Sequence, residues 1–198
     1  MKNNIEIIKP LLKFDNENEF YFIQVLQRSK ENPDLGKNNR LLKAYYVYSI
    51  EYLDKIYPEL VKMANEFNAR VYIHLNRRNA YQISLEMLED LAHSIKCGQI
   101  HSLDKIYNSA CGRHHSEKDK TWIIDIDEQD LEEINLNKLK ENVNSFIEPF
   151  DERDKIIAEI PTKNGIHLIS TPFNSQKFGE IYPNIQVHKN NPTILYCP

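Results

Sequence analysis

The chain has 198 residues, of which 41% are hydrophobic and 27% are charged, and its formal net charge is −4. This composition is typical of a globular protein with a sizeable core, so we expect a single domain over residues 1–198. The negative net charge argues against nucleic acid binding through bulk electrostatics alone, but it is compatible with a localised basic groove.

Three features bear on the compartment. No apolar run approaches the roughly 20 residues that are needed to cross a bilayer. The N-terminal residues are too polar and acidic for a secretory signal. The three cysteines lack the spacing of a metal site, which favours a reducing compartment. We therefore expect a cytoplasmic protein without a membrane partner.

The N-terminal portion, residues 1–119, shows strand and helix patterns without a repeat or a linker. Runs that are rich in aromatic and β-branched residues, or that alternate strictly, predict strands over residues 19–28, 43–49 and 70–76. Apolar residues at helical spacing predict helices over residues 50–67, 84–96 and 102–110. Ser84 is the expected N-cap of the second helix, and Pro58 predicts a kink or a new start in the first.

The C-terminal portion, residues 120–198, has a larger share of strand patterns. A strand is predicted over residues 121–127, and a helix-leaning connection follows over residues 128–146. Residues 154–160 and 166–171 form a predicted hairpin, and residues 175–182 a short helix. Residues 184–188 and 193–197 form a last predicted strand pair. Asn164-Gly165 is a strong hairpin signal. Together the elements predict an α/β (α+β) fold with a mixed, largely antiparallel central sheet and flanking helices.

The most informative segment is Trp122-Ile-Ile-Asp125-Ile-Asp127, an apolar strand that carries two carboxylates. Side chains alternate along a strand, so Asp125 and Asp127 point to the same face. Two like charges on one face repel each other, and a divalent cation such as Mg²⁺ or Mn²⁺ would relieve that repulsion. The alternative is a strand end whose acids face solvent, although the apolar residues before Asp125 argue against a solvated edge.

A basic turn and a histidine follow in the segment TKNGIH at residues 162–167. Gly165 permits a tight turn and a close approach of the backbone. Lys163 can neutralise a triphosphate, and Thr162 can donate a hydroxyl hydrogen bond. The imidazole of His167 can donate to a phosphate oxygen. The alternative is an ordinary hairpin with a hydrogen-bonded core histidine.

In this order, the two motifs resemble those of the archaeo-eukaryotic primase superfamily, and in particular its small bacterial and viral members and the polymerase domains of end-joining ligases. The resemblance implies an RRM-like catalytic core in which Asp125, Asp127 and His167 are catalytic and the two aspartates bind Mg²⁺ or Mn²⁺. It also implies a site for the phosphates of a nucleoside triphosphate, formed by Thr162, Lys163, Gly165 and His167. The implied activity is divalent-metal-dependent addition of nucleotides to a DNA or RNA strand on a template or primer. A helicase or other replication proteins are the implied partners.

The sequence departs from this family at the third motif, which is a strand with a further acidic metal ligand. Glu180 is the only acid after His167, and it lies in the predicted short helix. His188 stands where the metal-binding acid is expected, with Gln186 as the alternative in another register. A histidine ligates Mn²⁺ more readily than Mg²⁺.

The missing acid leaves alternatives open. One is a catalytically degenerate protein of the same fold that binds nucleotide or nucleic acid without turnover. Another is a non-enzymatic interaction protein in which the two aspartates only end a strand. A metal-dependent nuclease would use the same carboxylates, but no Asp…Glu-x-Lys arrangement on adjacent strands favours it.

Arg77 and Arg78 follow directly after the strand predicted over residues 70–76, whose polar face carries His74 and Asn76. In the implied architecture that strand borders the cleft, so we expect the two arginines to contact the phosphates of the nucleotide. The alternative is a strand end at the protein surface.

Overall fold

A computed structural model describes residues 1–99, 103, 105–116, 118–150 and 153–198. Within these ranges, all paired strands are antiparallel and form two sheets with helices packed against them. The predicted mixed α/β class, largely antiparallel and flanked by helices, is confirmed. The specific primase-polymerase core stays a prediction.

The strands are β1 (Lys2–Asn3), β2 (Glu19–Gln27), β3 (Arg40–Val47), β4 (Arg70–Ile73), β5 (Arg78–Asn79), β6 (Trp122–Asp127), β7 (Ile156–Pro161), β8 (Gly165–Ser170), β9 (Gln186–His188) and β10 (Thr193–Cys197). The first sheet has the order β1-β10-β4-β2-β3, and β5 pairs with β2. The second sheet has the order β7-β8-β6-β9.

The helices are α1 (Ile5–Ile8), α2 (Ile50–Glu66), α3 (Ala80–Lys96), α4 (Ile106–Arg113), α5 (Glu128–Glu133), α6 (Leu136–Glu141) and α7 (Ser175–Ile181). Short helical turns lie at Lys9–Leu11, Pro33–Leu35 and Asn142–Phe146. In the part of the chain that the structure describes, none of these helices combines the length and the hydropathy needed to cross a lipid bilayer.

Strand β2 lies inside the first sheet and buries side chains on both faces. Tyr21, Ile23 and Val25 belong to a core that includes the apolar stripe of α2, whereas Phe20 and Phe22 pack with buried residues of α3 and α4. This division follows from the two-residue period of side chains along a strand. It places the first sheet between α2 on one side and α3 with α4 on the other.

Strand β6 divides its side chains between two environments. Ile124 and Ile126 belong to a core that is shared with α6 and α7. On the opposite face, Ile123 joins the core of the first sheet, and Asp125 and Asp127 follow it along the strand. The second sheet therefore covers the first with an apolar patch and presents its carboxylates beyond that patch.

The last strand pair predicted from the sequence is wrong. β9 pairs with β6 in the second sheet, whereas β10 lies between β1 and β4 in the first. Every residue of β10 is buried, which requires neighbouring strands on both edges and cover on both faces. A two-stranded hairpin with β9 could not provide that cover. Residues 189–192 therefore carry the chain from one sheet to the other.

Helix α3 begins four residues before its predicted start. Asn79, and not Ser84, is the N-cap, and its side chain accepts a hydrogen bond from the N–H of Gln82 at 3.1 Å. Ser84 lies inside the helix, where its hydroxyl donates to the carbonyl of Ala80 at 2.7 Å.

The other two predicted N-terminal helices are present with changed bounds. α2 runs through Pro58 as one continuous helix. α4 starts at Ile106 and extends to Arg113, beyond the predicted end at residue 110. Residues 102 and 104 of that predicted helix lie outside the described residues.

Candidate functional site

The second sheet brings Asp125 together with two histidines. β6 and β8 pair in a register that sets Asp125 opposite His167, and residues directly opposite each other in an antiparallel pair share a face. On the other edge of β6, β9 sets Gln186 opposite Asp125 and His188 opposite Ile123, so His188 also lies on that face. Nε2 of His167 is 3.3 Å from one carboxylate oxygen of Asp125, and Nε2 of His188 is 3.7 Å from the other.

The position of the His167 ring is fixed from both sheets. Its Nδ1 lies 2.8 Å from the hydroxyl oxygen of Thr193, a fully buried residue on β10 of the first sheet. Because Nε2 faces Asp125 of the second sheet, both ring nitrogens have a partner. The imidazole therefore links the two sheets where their cores meet.

The histidines also set the charge state of Asp125. The hydrogen bond from His167 is the largest influence, and it holds the pKa of the carboxyl below its usual value despite the opposing effect of burial. The second imidazole, that of His188, acts in the same direction. Asp125 is therefore an anion at neutral pH, and it can attract a cation or a hydrogen-bond donor.

The turn between β7 and β8 lies directly against the end of β6. Gly165 is opposite Asp127, and a Cβ at Gly165 would lie only 2.1 Å from the carbonyl oxygen of Ile126. Only glycine lets the two backbones approach this closely. Asp127 is exposed and is the N-cap residue of α5, with its N–H donating to the side chain of Asp130 at 3.1 Å. The second aspartate therefore has a structural role beside any role in binding.

A cavity of about 700 Å³ opens between the two sheets at Asp125. One wall comes from the second sheet and carries both aspartates and both histidines, Asp125, Asp127, His167 and His188. Thr162 and Lys163, from the turn before β8, also line it. The sequence motifs therefore converge on one concave surface that is large enough for a nucleotide-sized ligand.

The opposite wall of the cavity is basic. Arg28, Lys30 and Arg70 line it, together with the acid Glu31. Arg28 donates to the hydroxyl of Tyr72 at 3.0 Å, which directs its guanidinium along the cavity wall. The net charge of the chain is negative, but it is compatible with a localised basic surface such as this wall.

Glu31 forms an ion-pair network within the cavity. Its carboxylate accepts two hydrogen bonds from Arg70, at 3.0 and 2.5 Å, and one from Lys163, at 2.5 Å. Arg70, with a smaller effect from Lys163, lowers the pKa of Glu31 to about 2. The network joins the loop after β2 to the hairpin turn of the second sheet.

The structure does not bring Arg77 and Arg78 to this cavity. β5 pairs with the first residues of β2, whereas the cavity is lined by Leu26 at its other end, about 20 Å away at the rise of a strand. The side chain of Arg77 forms ion pairs with Asp15, Glu19 and Asp119. The fully buried Arg78 donates to the carbonyls of Cys111 and Asn76 and to the side chain of Asn190. Both guanidiniums bind groups of the chain away from the cavity, so they lie outside the candidate site.

The donor atoms around Asp125 match a divalent cation in type. Carboxylate oxygens of Asp125 and Asp127 suit Mg²⁺ and Mn²⁺, and an imidazole nitrogen of His188 suits Mn²⁺ better. Among the residues that the structure describes, no three His, Cys, Asp or Glu side chains are arranged to hold a metal ion. The Asp125 carboxylate faces the two imidazoles instead, so a cation would compete with them for its oxygens.

Three residues that shape the cavity were missed in the sequence. Glu31 lies in a polar loop, Arg70 begins a strand, and Thr193 lies in a strand that was predicted to pair elsewhere. Each becomes recognisable only through a partner far away along the chain. No local pattern could have identified them.

Comparison of the chain with protein-family models, with curated proteins and with solved structures found no match. The resemblance of the two motifs to primases therefore stays an inference from their residues.

Proposed function

We propose that the cavity between the two sheets binds a nucleoside triphosphate, and that the chain adds its nucleotide to a nucleic acid strand as primase-polymerase enzymes do. The observation that carries the proposal is the convergence of Asp125 and His167 on one wall of a cavity whose opposite wall is basic. An anionic polyphosphate fits between cations, and an anionic carboxylate beside it fits a bridging metal ion.

The chain's own residues would have distinct tasks. Lys163 and the Thr162 hydroxyl would hold phosphates from the hairpin turn. His167 would donate from Nε2 to a phosphate oxygen after exchanging that partner for Asp125, while Thr193 keeps Nδ1 in place. Asp125, Asp127 and His188 would supply the donor atoms for a Mg²⁺ or Mn²⁺ ion, which would bind there only by displacing the His167 imidazole from the Asp125 carboxylate. When bound, that ion would neutralise phosphate charge and lower the pKa of the attacking 3′-hydroxyl. The 3′-oxygen would bond to the α-phosphorus as the bond to the β-phosphate oxygen breaks, so that pyrophosphate leaves and the hydroxyl proton passes to solvent.

The proposal is tested by nucleotide incorporation. The purified chain is incubated with Mn²⁺, a primed DNA or RNA template and nucleoside triphosphates, and extension of the labelled primer is measured. We expect extension by the wild type and its loss in Asp125→Asn. Asp34→Asn is the matched control, because Asp34 is an exposed acid outside the cavity lining. No extension by the wild type above the Asp125→Asn background would contradict catalysis.

A second candidate function is nucleotide binding without turnover. The observation that favours it is His188, which stands at the position of the third acid and faces Asp125 at 3.7 Å. Calorimetric titration with a nucleoside triphosphate, with and without Mn²⁺, separates the two candidates. Binding without primer extension supports the second, whereas no binding removes both and leaves a non-enzymatic interaction protein.

Any role in replication would involve further proteins. The proposed reaction uses a template and a primer, and the resemblance to primases implies a helicase or other replication proteins as partners. Co-purification with replication proteins after primer extension has been established would test that step.

A further inference from the structure

Glu31 and Lys163 meet across the mouth of the cavity although 132 positions separate them in the chain. Glu31 belongs to the loop between β2 and β3, and Lys163 belongs to the turn between β7 and β8. The side chain of Glu31 is 16% exposed and that of Lys163 is 47% exposed. The lysine that we propose to hold phosphate is therefore already paired with an anion of the chain itself.

Arg70 makes this pairing asymmetric. Its guanidinium holds Glu31 through two hydrogen bonds, and its side chain is only 15% exposed. Lys163 contributes a single hydrogen bond from a flexible, half-exposed side chain. When a second anion enters the cavity, Lys163 can exchange partners while Glu31 stays with Arg70.

The distal phosphates of a nucleotide are the ones that would reach Lys163. Nucleotidyl transfer requires the α-phosphate to lie at the carboxylates, here Asp125 and Asp127. In the proposed site, the β- and γ-phosphates would extend from there toward the turn that carries Lys163, because that turn lies beside Asp127 and Lys163 lines the same cavity. A nucleoside monophosphate has no group to extend in that direction.

Given the triphosphate site proposed for this cavity, we propose that Glu31 is a specificity-determining residue that acts as an internal competitor for Lys163. A ligand gains Lys163 only if its distal phosphates displace the carboxylate. A triphosphate meets that condition and a monophosphate does not. Glu31 therefore lowers the affinity for a triphosphate and leaves the affinity for a monophosphate unchanged.

The test is a calorimetric comparison of wild type and Glu31→Gln with ATP, AMP and adenosine as probes. Removing the competing charge should tighten ATP binding about threefold to tenfold at low salt and change AMP and adenosine binding less than about twofold. The gain for ATP should shrink as the salt concentration rises, since both partners are near solvent. Asp34→Asn, an exposed acid in the same loop, should change none of the affinities.

A second substitution shows whether Glu31 acts through Lys163. In a Lys163→Gln background, Glu31→Gln should no longer tighten ATP binding, because the residue for which it competes is absent. Thermal unfolding of each variant verifies that it is folded. If Glu31→Gln does not fold, Lys163→Gln alone decides, and it must reduce the preference for ATP over AMP.

The outcomes separate this inference from the function on which it rests. Wild type that binds none of the probes overturns both. Wild type that binds ATP, with an unchanged or weakened affinity in Glu31→Gln, overturns the competitor role and leaves the triphosphate site standing. An equal gain for AMP and ATP, or a gain that persists in the Lys163→Gln background, shows a general charge effect and also overturns it.

Discussion

Gly165→Ala should destabilise the chain because two backbones already touch at this position. The added Cβ would lie 2.1 Å from the carbonyl oxygen of Ile126 and 2.9 Å from the Cα of Asp127. Both neighbours are backbone atoms of the paired strand, so no side chain can rotate away. The turn itself therefore has to move, by about 1 Å. Overpacking of this kind costs about 2–3 kcal/mol in free energy of unfolding. For a chain of this size, the melting temperature should fall by about 5–10 °C.

The measurement is urea denaturation of wild type and variant, with the midpoint and the slope determined separately. Gly179→Ala is the matched control, since Gly179 lies in α7 and a Cβ there would meet nothing within 4 Å. That substitution should stabilise the helix by about 0.5–1 kcal/mol, so the two glycines should respond with opposite signs. A Gly165→Ala variant as stable as wild type would refute the close-approach reasoning. The displaced turn also carries Lys163, so we expect weaker triphosphate binding in the same variant.

Thr193→Val keeps the volume of the buried side chain but removes the hydroxyl beside Nδ1 of His167. The free energy of unfolding, measured by urea denaturation, should fall by about 1–3 kcal/mol. An unchanged stability would show that the hydroxyl does not hold the ring. Glu31→Gln should lose about 1–2 kcal/mol of stability at pH 7. The pKa of Glu31 is held near 2 against an ordinary 4.5, so the stabilisation is complete above pH 4.5, and the difference between wild type and variant should vanish as the pH falls toward 2. A difference that grows on acidification would contradict the Arg70 pairing as its cause. His188→Asp should make the melting temperature depend on Mg²⁺ more strongly than in wild type, because a third carboxylate replaces a poor Mg²⁺ ligand; equal Mg²⁺ responses would remove His188 from the site.

The local parts of the site were predictable from the sequence. Alternation along β6 placed Asp125 and Asp127 on one face, and the Asn164-Gly165 turn predicted the hairpin that contains His167. These signals depend on side-chain period and turn chemistry within a few residues. They do not show that β6 and β8 are neighbours, and the register between the two strands follows from them only once that pairing is known.

The non-local parts were not predictable. The burial of all of β10 is visible in its apolar composition, but nothing in residues 184–198 shows that β9 and β10 belong to different sheets. The sequence misplaces Arg77 and Arg78 because it does not show that β4 runs antiparallel to β2. Arg70, at the start of β4, lies opposite Leu26 beside the cavity, and beyond Ile73 the chain continues toward the first residues of β2. Partner choice between strands depends on packing across the whole fold, which a local pattern does not record.

The position of β10 has a consequence for how the chain folds as it leaves the ribosome. β1, near the start, pairs with β10, near the other end of the described chain, and β4 lacks that neighbour until β10 has been synthesised. Contacts between such distant segments slow folding, because a large loop has to close before any of them form. During translation, the edge of β4 that receives β10 stays unpaired, and an unpaired strand edge can pair with other chains.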